Sequence, residues 1–305
     1  MADVGGLRLG GQPFPFGVTF IPPGVLVAGG GSAAADARAP AAADEASAAD
    51  EASAADEASR GVSPEDFARA CADIGASFAF VPRGLQEDDY AAALRAADIA
   101  TFHVFDGPLW PLIEARGVME GLRSTLTDPE GIGDDLERGV RRLQDGLGEI
   151  GHLGARALVL AEDLAGNEGP LVAPDFVIAE LMPRYSPLVQ HARELSLPAV
   201  LHSDGDIRSL LPAIARAGFV GVHAGGGLRI DAFVLLVHAA REEGLSVIGG
   251  LLTGELTSAT RAEALGGALG RLARDGGLVL ADDGGITTVA QLERLKIALD
   301  VARTV

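Results

Sequence analysis

Residues 198–224 read PAVLHSDGDIRSLLPAIARAGFVGVHA, and they hold two apolar segments separated by a helical pattern. The segments, 198–202 and 218–224, are too uniformly apolar to have a solvated face, which is typical of strands in a parallel sheet covered on both sides. The first segment ends on His202, and two aspartates, Asp204 and Asp206, follow it closely. This stretch therefore predicts a strand, a helix and a second strand, with ionisable groups where the first strand stops.

The same alternation recurs along the whole chain. Eight short apolar segments alternate with longer amphipathic ones, at 17–23, 76–82, 99–105, 155–161, 198–202, 218–224, 245–250 and 277–281. Two helical segments begin with clear start signals, Ser63-Pro64-Glu65-Asp66 and Thr127-Asp128-Pro129-Glu130. The pattern predicts an α/β fold, a (β/α)8 TIM barrel formed by one domain over residues 1–305. An open doubly wound sheet is the alternative.

Composition sets the class of protein and disfavours several kinds of partner. The chain has 305 residues, 48% of them hydrophobic and 22% charged, which is typical of a globular protein. Its net charge of −19 repels nucleic acid and anionic lipid. Because no apolar stretch approaches the roughly 18 to 20 residues of a membrane span, and the N-terminus lacks a signal-peptide pattern, we expect a cytoplasmic protein. The single cysteine, Cys71, lies in a helical pattern and is expected to be a buried hydrophobe rather than a nucleophile.

One segment departs from the regular pattern. Residues 44–59 repeat a six-residue unit, DEASAA, whose period fits neither a helix nor a strand and gives no continuous apolar face. We therefore predict that residues 32–60 form a disordered Ala/Asp/Glu-rich insertion. A role as a lid or as a partner-binding segment is the alternative.

Acids and histidines follow several of the predicted strands. In a parallel barrel the reactive groups lie at the C-terminal strand ends, so these residues are expected on one rim. The residues are Asp106, Glu162, Asp163, His202, Asp204, Asp206, His223, Asp282 and Asp283. An aspartate after a strand is often only a helix cap, and that interpretation stays open for Asp163 and Asp206. The predicted catalytic residues are Glu162, Asp163, His202, Asp204 and His223.

Three of these stretches carry a resemblance to a known family. ALVLAED at 157–163, PAVLHSDGD at 198–206 and GLVLADDGGITTVAQLERL at 277–295 resemble the uroporphyrinogen decarboxylase superfamily, especially its branch of corrinoid- and cobalamin-dependent methyltransferases. The resemblance runs from about residue 103 to the C-terminus and implies an eight-stranded barrel. It also implies a small-molecule substrate and a corrinoid carried on a partner protein.

The resemblance suggests a metal site with changed ligands. The zinc methyltransferases of that superfamily carry a His-x-Cys motif and a later cysteine. The corresponding residues of this chain are His202-Ser203-Asp204 and Asp282-Asp283-Gly284. Imidazole and carboxylate suit a borderline or hard divalent ion, so the predicted ligands of zinc or a similar metal are His202, Asp204 and Asp283. Without a metal, the same groups would form a proton-transfer cluster.

Three functions remain open at the level of sequence. The first is a methyltransferase that moves a one-carbon group between a small substrate and a corrinoid or thiol acceptor. The second is a decarboxylase, a carbon–carbon lyase in which Asp204 or Glu162 protonates the carbon left by carbon dioxide. The third is a barrel without catalytic activity, because the fold alone does not decide between chemistries.

Overall fold

The computed structural model of the protein describes residues 3–4, 7–8, 16–18, 63–81, 87–283 and 289–305. The predicted insertion at 32–60 lies outside these residues. Among the helices that are described, none has the length and apolar character needed to cross a bilayer.

The described strands form one parallel sheet and two short hairpins. Strands β1 to β12 are, in chain order, Asp3–Val4, Leu7–Arg8, Phe16–Val18, Phe78–Val81, Ala100–Asp106, Ala157–Ala161, Ala165–Gly166, Gly169–Pro170, Ala199–Ser203, Gly221–Ala224, Ser246–Leu251 and Leu278–Asp282. Seven of them form a curved parallel sheet in the order β4-β5-β6-β9-β10-β11-β12. Strand β3 pairs in parallel with β12 and with β4, so that the sheet closes on itself.

Along the chain, the helices follow successive strands of this sheet. Helices α1 to α11 are Pro64–Asp73, Glu87–Ala96, Leu109–Ala115, Val118–Thr127, Pro129–His152, Pro174–Phe176, Met182–Glu194, Leu211–Ala217, Ile230–Glu242, Ala259–Arg274 and Val289–Thr304. A π-helical turn, Val177–Leu181, joins α6 to α7, and two 3-10 turns, Arg208–Leu210 and Thr253–Glu255, follow β9 and β11. The predicted parallel α/β architecture is confirmed. Seven predicted segments overlap the seven strands β4, β5, β6, β9, β10, β11 and β12, and the first, 17–23, overlaps β3 at its beginning.

Both predicted helix start signals are confirmed. Ser63 caps α1, because its hydroxyl oxygen accepts a hydrogen bond from the Asp66 N–H at 3.1 Å. Asp128 caps α5 in the same way, with Oδ1 accepting from the Gly131 N–H at 3.1 Å. In each case proline occupies the first helical position, where its missing N–H costs nothing.

The sheet separates two apolar layers. The inner layer fills the space enclosed by the strands and includes Phe78 and Phe102, whose rings stack at 4.4 Å. The outer layer packs the opposite strand face against the helices and includes Leu158 and Leu160 of β6. Because side chains alternate along a strand, residue parity decides which layer a side chain joins. Cys71 is fully buried in the outer layer, where burial raises the pKa of its thiol to about 12.

Three loops at one end of the sheet are tied together by their backbones. The Asp206 N–H donates to the Gly166 carbonyl at 2.9 Å, and the Gly205 N–H donates to the Gly226 carbonyl at 3.0 Å. These bonds join the loops after β6, β9 and β10. Gly205 has φ +75°, and a Cβ there would lie 2.4 Å from the Gly166 carbonyl oxygen. The close approach of the loops therefore requires glycine at this position.

We expect Gly205→Ala to destabilise the fold more than Gly244→Ala does. Gly244 has a similar φ of +72°, but among the described residues no atom beyond its chain neighbours lies within 4 Å of the point that a Cβ would occupy, so its substitution carries only the left-handed backbone cost of about 1 kcal/mol. Gly205→Ala adds a steric conflict with Gly166 and should cost about 1–3 kcal/mol more. Urea unfolding of both variants measures the difference, and equal free energies of unfolding would show that the loops are not closely packed.

Candidate active site

The site lies at the C-terminal ends of neighbouring strands. His202 on β9 is in register with His223 on β10 and with Ala161 on β6. Asp163 and Asp204 follow β6 and β9 by one or two residues. Since adjacent parallel strands end at the same edge, residues from distant parts of the chain meet here because of the fold.

Asp163, His202 and Asp204 form a group that could hold a metal ion. One ligand atom from each residue lies within 4.8 Å of the others. His202 Nε2 is 3.8 Å from Asp163 Oδ1. Both aspartates are exposed at the C-terminal end of the sheet, which we call the mouth, and His202 is half-buried. The group is therefore open to solvent. One nitrogen and two carboxylates are ligands that suit zinc, manganese or iron.

This ligand group differs from the predicted set in one member. The structure groups Asp163 with His202 and Asp204, whereas the sequence pointed to Asp283. Both Asp283 carboxylate oxygens accept from the Thr253 N–H, at 3.3 and 3.2 Å, so Asp283 holds the 3-10 turn after β11. Its pKa is raised, first by burial and to a lesser degree by Asp204, which places it near the group but not within it.

The two histidines fix one another's hydrogen positions. His223 Nε2 lies 3.2 Å from the Asp282 carbonyl oxygen, which can only accept, so Nε2 carries the hydrogen. Burial, and then the nearby His202, lower the pKa of His223 to about 3, so its ring is neutral and Nδ1 is an acceptor. His202 Nδ1 lies 2.8 Å from that atom and donates to it. In a neutral His202 ring, Nε2, the atom that faces Asp163, would then carry the lone pair.

The two carboxylates raise the negative potential at the mouth. The pKa of Asp204 is raised, mainly because the protein shields its carboxylate from water and also because Asp163 is near, while His202 opposes the shift. Asp204 Oδ1 lies against Gly226, where a Cβ would approach it to 2.2 Å. A divalent cation would remove the repulsion between the carboxylates, so the arrangement favours cation binding.

Glu162 lies on the other side of the sheet. Leu158 and Leu160 of β6 belong to the outer layer. Glu162 follows them at the same two-residue spacing, so its carboxylate also faces the helices, toward α3 and α7. Oε1 accepts from the Leu109 N–H at 3.0 Å and from the Tyr185 hydroxyl. The residue is 1% exposed, and burial raises its pKa to about 7. The sequence placed Glu162 on one rim with His202 as a catalytic residue, but its side chain is directed at the helices.

The remaining predicted rim residues have structural contacts. Asp206 accepts from the backbone N–H of Arg208 at 3.1 Å and forms a bidentate ion pair with its guanidinium. These contacts hold Asp206 to the start of the 3-10 turn Arg208–Leu210, whose N-cap position is Ile207. Asp106 is exposed at the end of β5, and Asp282 is fully buried, where its charge contributes to the raised pKa of Cys71.

Three residues near the site were not expected from the sequence. The Trp110 indole N–H donates to the Asp163 carbonyl oxygen at 2.8 Å, and the Ser203 hydroxyl accepts from the Leu164 N–H at 2.9 Å. Tyr185 reaches Glu162 from α7. No local motif marks these residues, because each contact joins positions at least 23 residues apart.

Comparisons with known proteins agree on the fold. No protein-family model matches the sequence, and no curated protein matches it. A solved methyltransferase from Methanosarcina mazei is similar, with a TM-score of 0.55 and 17% identity over 73% of this chain and 67% of that chain. A Bacteroidetes-affiliated GH5 cellulase is also similar, with a TM-score of 0.50 and 9% identity over 79% of this chain and 83% of that chain. At these identities the likeness establishes the fold alone.

We expect nitrogen-15 NMR of histidine-labelled protein to find His223 neutral with a bare Nδ1, and His202 with a protonated Nδ1. Because the pKa of His223 is lowered to about 3, its ring should stay neutral as the pH falls to about 4. Spectra of His202→Asn and His223→Asn variants supply the assignments. Protonation of His223 near its ordinary value of 6.5 would contradict the proposed hydrogen-bond directions.

Proposed function

We propose that the protein is a (β/α)8-barrel enzyme with a divalent metal centre on Asp163, His202 and Asp204. The observation that carries the proposal is the convergence of three side chains, with one ligand atom of Asp163, His202 and Asp204 each within 4.8 Å of the others. Three protein ligands leave coordination positions open for a substrate, which is characteristic of catalytic rather than structural metal sites. A bound divalent ion would act there as a Lewis acid on a substrate thiol or hydroxyl.

The chain's own residues orient the ligands and limit access. His223 fixes the tautomer of His202 through its link to the Asp282 carbonyl, as an outer partner of a ligating histidine does. Phe80 packs against His223 with ring centroids 4.8 Å apart, and it continues the aromatic layer beneath the pair. A substrate therefore reaches the centre from the exposed side, past Asp163 and Asp204.

The reaction that we infer is methyl transfer. Its support is the sequence resemblance to corrinoid-dependent methyltransferases, with which the barrel fold is compatible. The substrate sulfur or oxygen loses its proton to solvent and forms a bond to the methyl carbon. The methyl carbon leaves its donor, a corrinoid on a partner protein, without the bonding electron pair, which stays on the corrinoid. The acceptor is a small molecule.

Decarboxylation is the second candidate, and one observation favours it. The pKa of Asp204 is raised, which helps a carboxyl group at the mouth to act as a proton donor. Glu162, the other acid considered for that role, is directed away from the mouth.

We expect Asp204→Asn to abolish metal binding and Asp206→Asn to preserve it. The first change removes a proposed ligand, so Zn²⁺ affinity should fall at least about 100-fold, beyond the usual effect of losing an outer partner. The second removes the pairing with Arg208 and should cost about 1 kcal/mol of stability without affecting the metal. Isothermal titration with Zn²⁺, on protein purified without a tag, measures both affinities. Equal Zn²⁺ binding by the two variants would contradict the ligand assignment.

Activity distinguishes the candidates. Methyl transfer is supported if the methylcobalamin spectrum is lost in the presence of small thiols. The loss should require Zn²⁺ and should not occur with the Asp204→Asn variant. Decarboxylation is supported instead if the protein with Zn²⁺ releases carbon dioxide from small carboxylic acids and the Asp204→Asn variant does not. A protein that binds Zn²⁺ but catalyses neither reaction over broad substrate panels would favour the barrel without catalytic activity.

A further inference from the structure

Backbone hydrogen bonds fix each residue of the segment 162–164, which carries Asp163. The Glu162 N–H donates to the His202 carbonyl at 2.8 Å, and the Leu164 N–H donates to the buried Ser203 hydroxyl at 2.9 Å. Between them, the Asp163 carbonyl accepts from the Trp110 indole at 2.8 Å. The Asp163 side chain therefore extends to the mouth from a backbone that is fixed on both sides.

The N-terminus of α3 connects Glu162 to this arrangement. Leu109 donates its N–H to Glu162, and the next residue, Trp110, donates its indole N–H to Asp163. A Cβ at Gly107 would lie 1.9 Å from Glu162 Oε1, so the chain before α3 passes directly over the carboxylate. The Glu162 side chain is therefore in contact with the start of α3, the helix that carries Trp110.

Tyr185 holds the carboxylate from the helix side. Its fully buried hydroxyl donates to the same oxygen, Oε1, that accepts from Leu109. Within the described part of the chain, no hydrogen-bond partner meets Glu162 Oε2. A carboxylate buried in this way costs folding free energy, and an apolar side chain of similar size would often cost less. The presence of the pair is therefore weak evidence for a role in stability alone.

We propose that Glu162 and Tyr185 form a buried positioning pair that holds Asp163 beside His202, and that Glu162 is not a proton donor to the substrate. The inference rests on the proposed metal centre, because Asp163 is one of its three ligands. It assigns a role to a side chain that lies outside the mouth. The raised pKa of Glu162 agrees with this burial.

Three variants test the pair through Co²⁺ affinity, measured by the visible absorption of the bound ion. Glu162→Ala removes both contacts of the carboxylate and should weaken Co²⁺ binding about 10-fold or more, the range seen for outer partners of metal ligands. Tyr185→Phe should weaken it in the same direction. Glu162→Gln keeps an acceptor oxygen for Leu109 and Tyr185, so its affinity should remain close to that of the unsubstituted protein.

Ser186→Ala is the matched control. Ser186 lies next to Tyr185 on α7, but its hydroxyl donates to the Ala217 carbonyl at 3.0 Å, away from Glu162. Trp110 is the only tryptophan of the chain, so its fluorescence without added metal reports on the contact with Asp163. Glu162→Ala and Tyr185→Phe should shift the emission, whereas Ser186→Ala and Glu162→Gln should not.

The outcomes separate this inference from the metal proposal. If Glu162→Ala lowers the melting temperature but leaves Co²⁺ affinity and tryptophan emission unchanged, Glu162 is only structural and the inference is overturned. If the unsubstituted protein binds no Co²⁺, the metal proposal fails, while a shifted emission in Glu162→Ala and Tyr185→Phe would still support the positioning of Asp163. Unchanged emission in that case would overturn both.

Discussion

The hydrogen bond between His202 Nδ1 and His223 Nδ1 is the contact on which the geometry of the candidate site depends. Two imidazoles can share this bond only if one nitrogen donates and the other accepts, and the Asp282 carbonyl makes that choice by occupying His223 Nε2. In a neutral His202 ring, Nε2 would then carry the lone pair, and this atom lies 3.8 Å from Asp163 Oδ1. A backbone carbonyl on β12 thus determines what a side chain on β9 can bind.

The fold makes this contact possible without placing the residues near one another in sequence. Strands β9 and β10 pair in register at His202 and His223, and β6 brings Asp163 to the other side of His202. The loops that follow are joined by their backbones, so the positions of the proposed ligands depend on packing between loops as well as on the strands. Rigid support of this kind is what a metal centre needs to keep its geometry when a substrate enters.

The strands could be predicted from the sequence because apolar segments and helical segments alternate with little ambiguity. The side on which Glu162 lies could also have been predicted. In ALVLAED the leucines at 158 and 160 mark the helix-facing positions, and Glu162 shares their parity. That Asp163 rather than Asp283 lies beside His202 and Asp204 in the proposed ligand group could not be predicted, since it depends on how far each loop reaches. The contacts of Trp110 and Tyr185 likewise arise only from tertiary packing.

The location of a bound ion tests the central claim most directly. Anomalous diffraction from crystals soaked in Co²⁺ would give the ion's position independently of any assumed reaction. The account predicts one peak at bonding distance from His202 Nε2 and from carboxylate oxygens of Asp163 and Asp204, with His202 Nδ1 still bonded to His223. A peak bound by Asp283 without Asp163, or by His223 in place of His202, would contradict it.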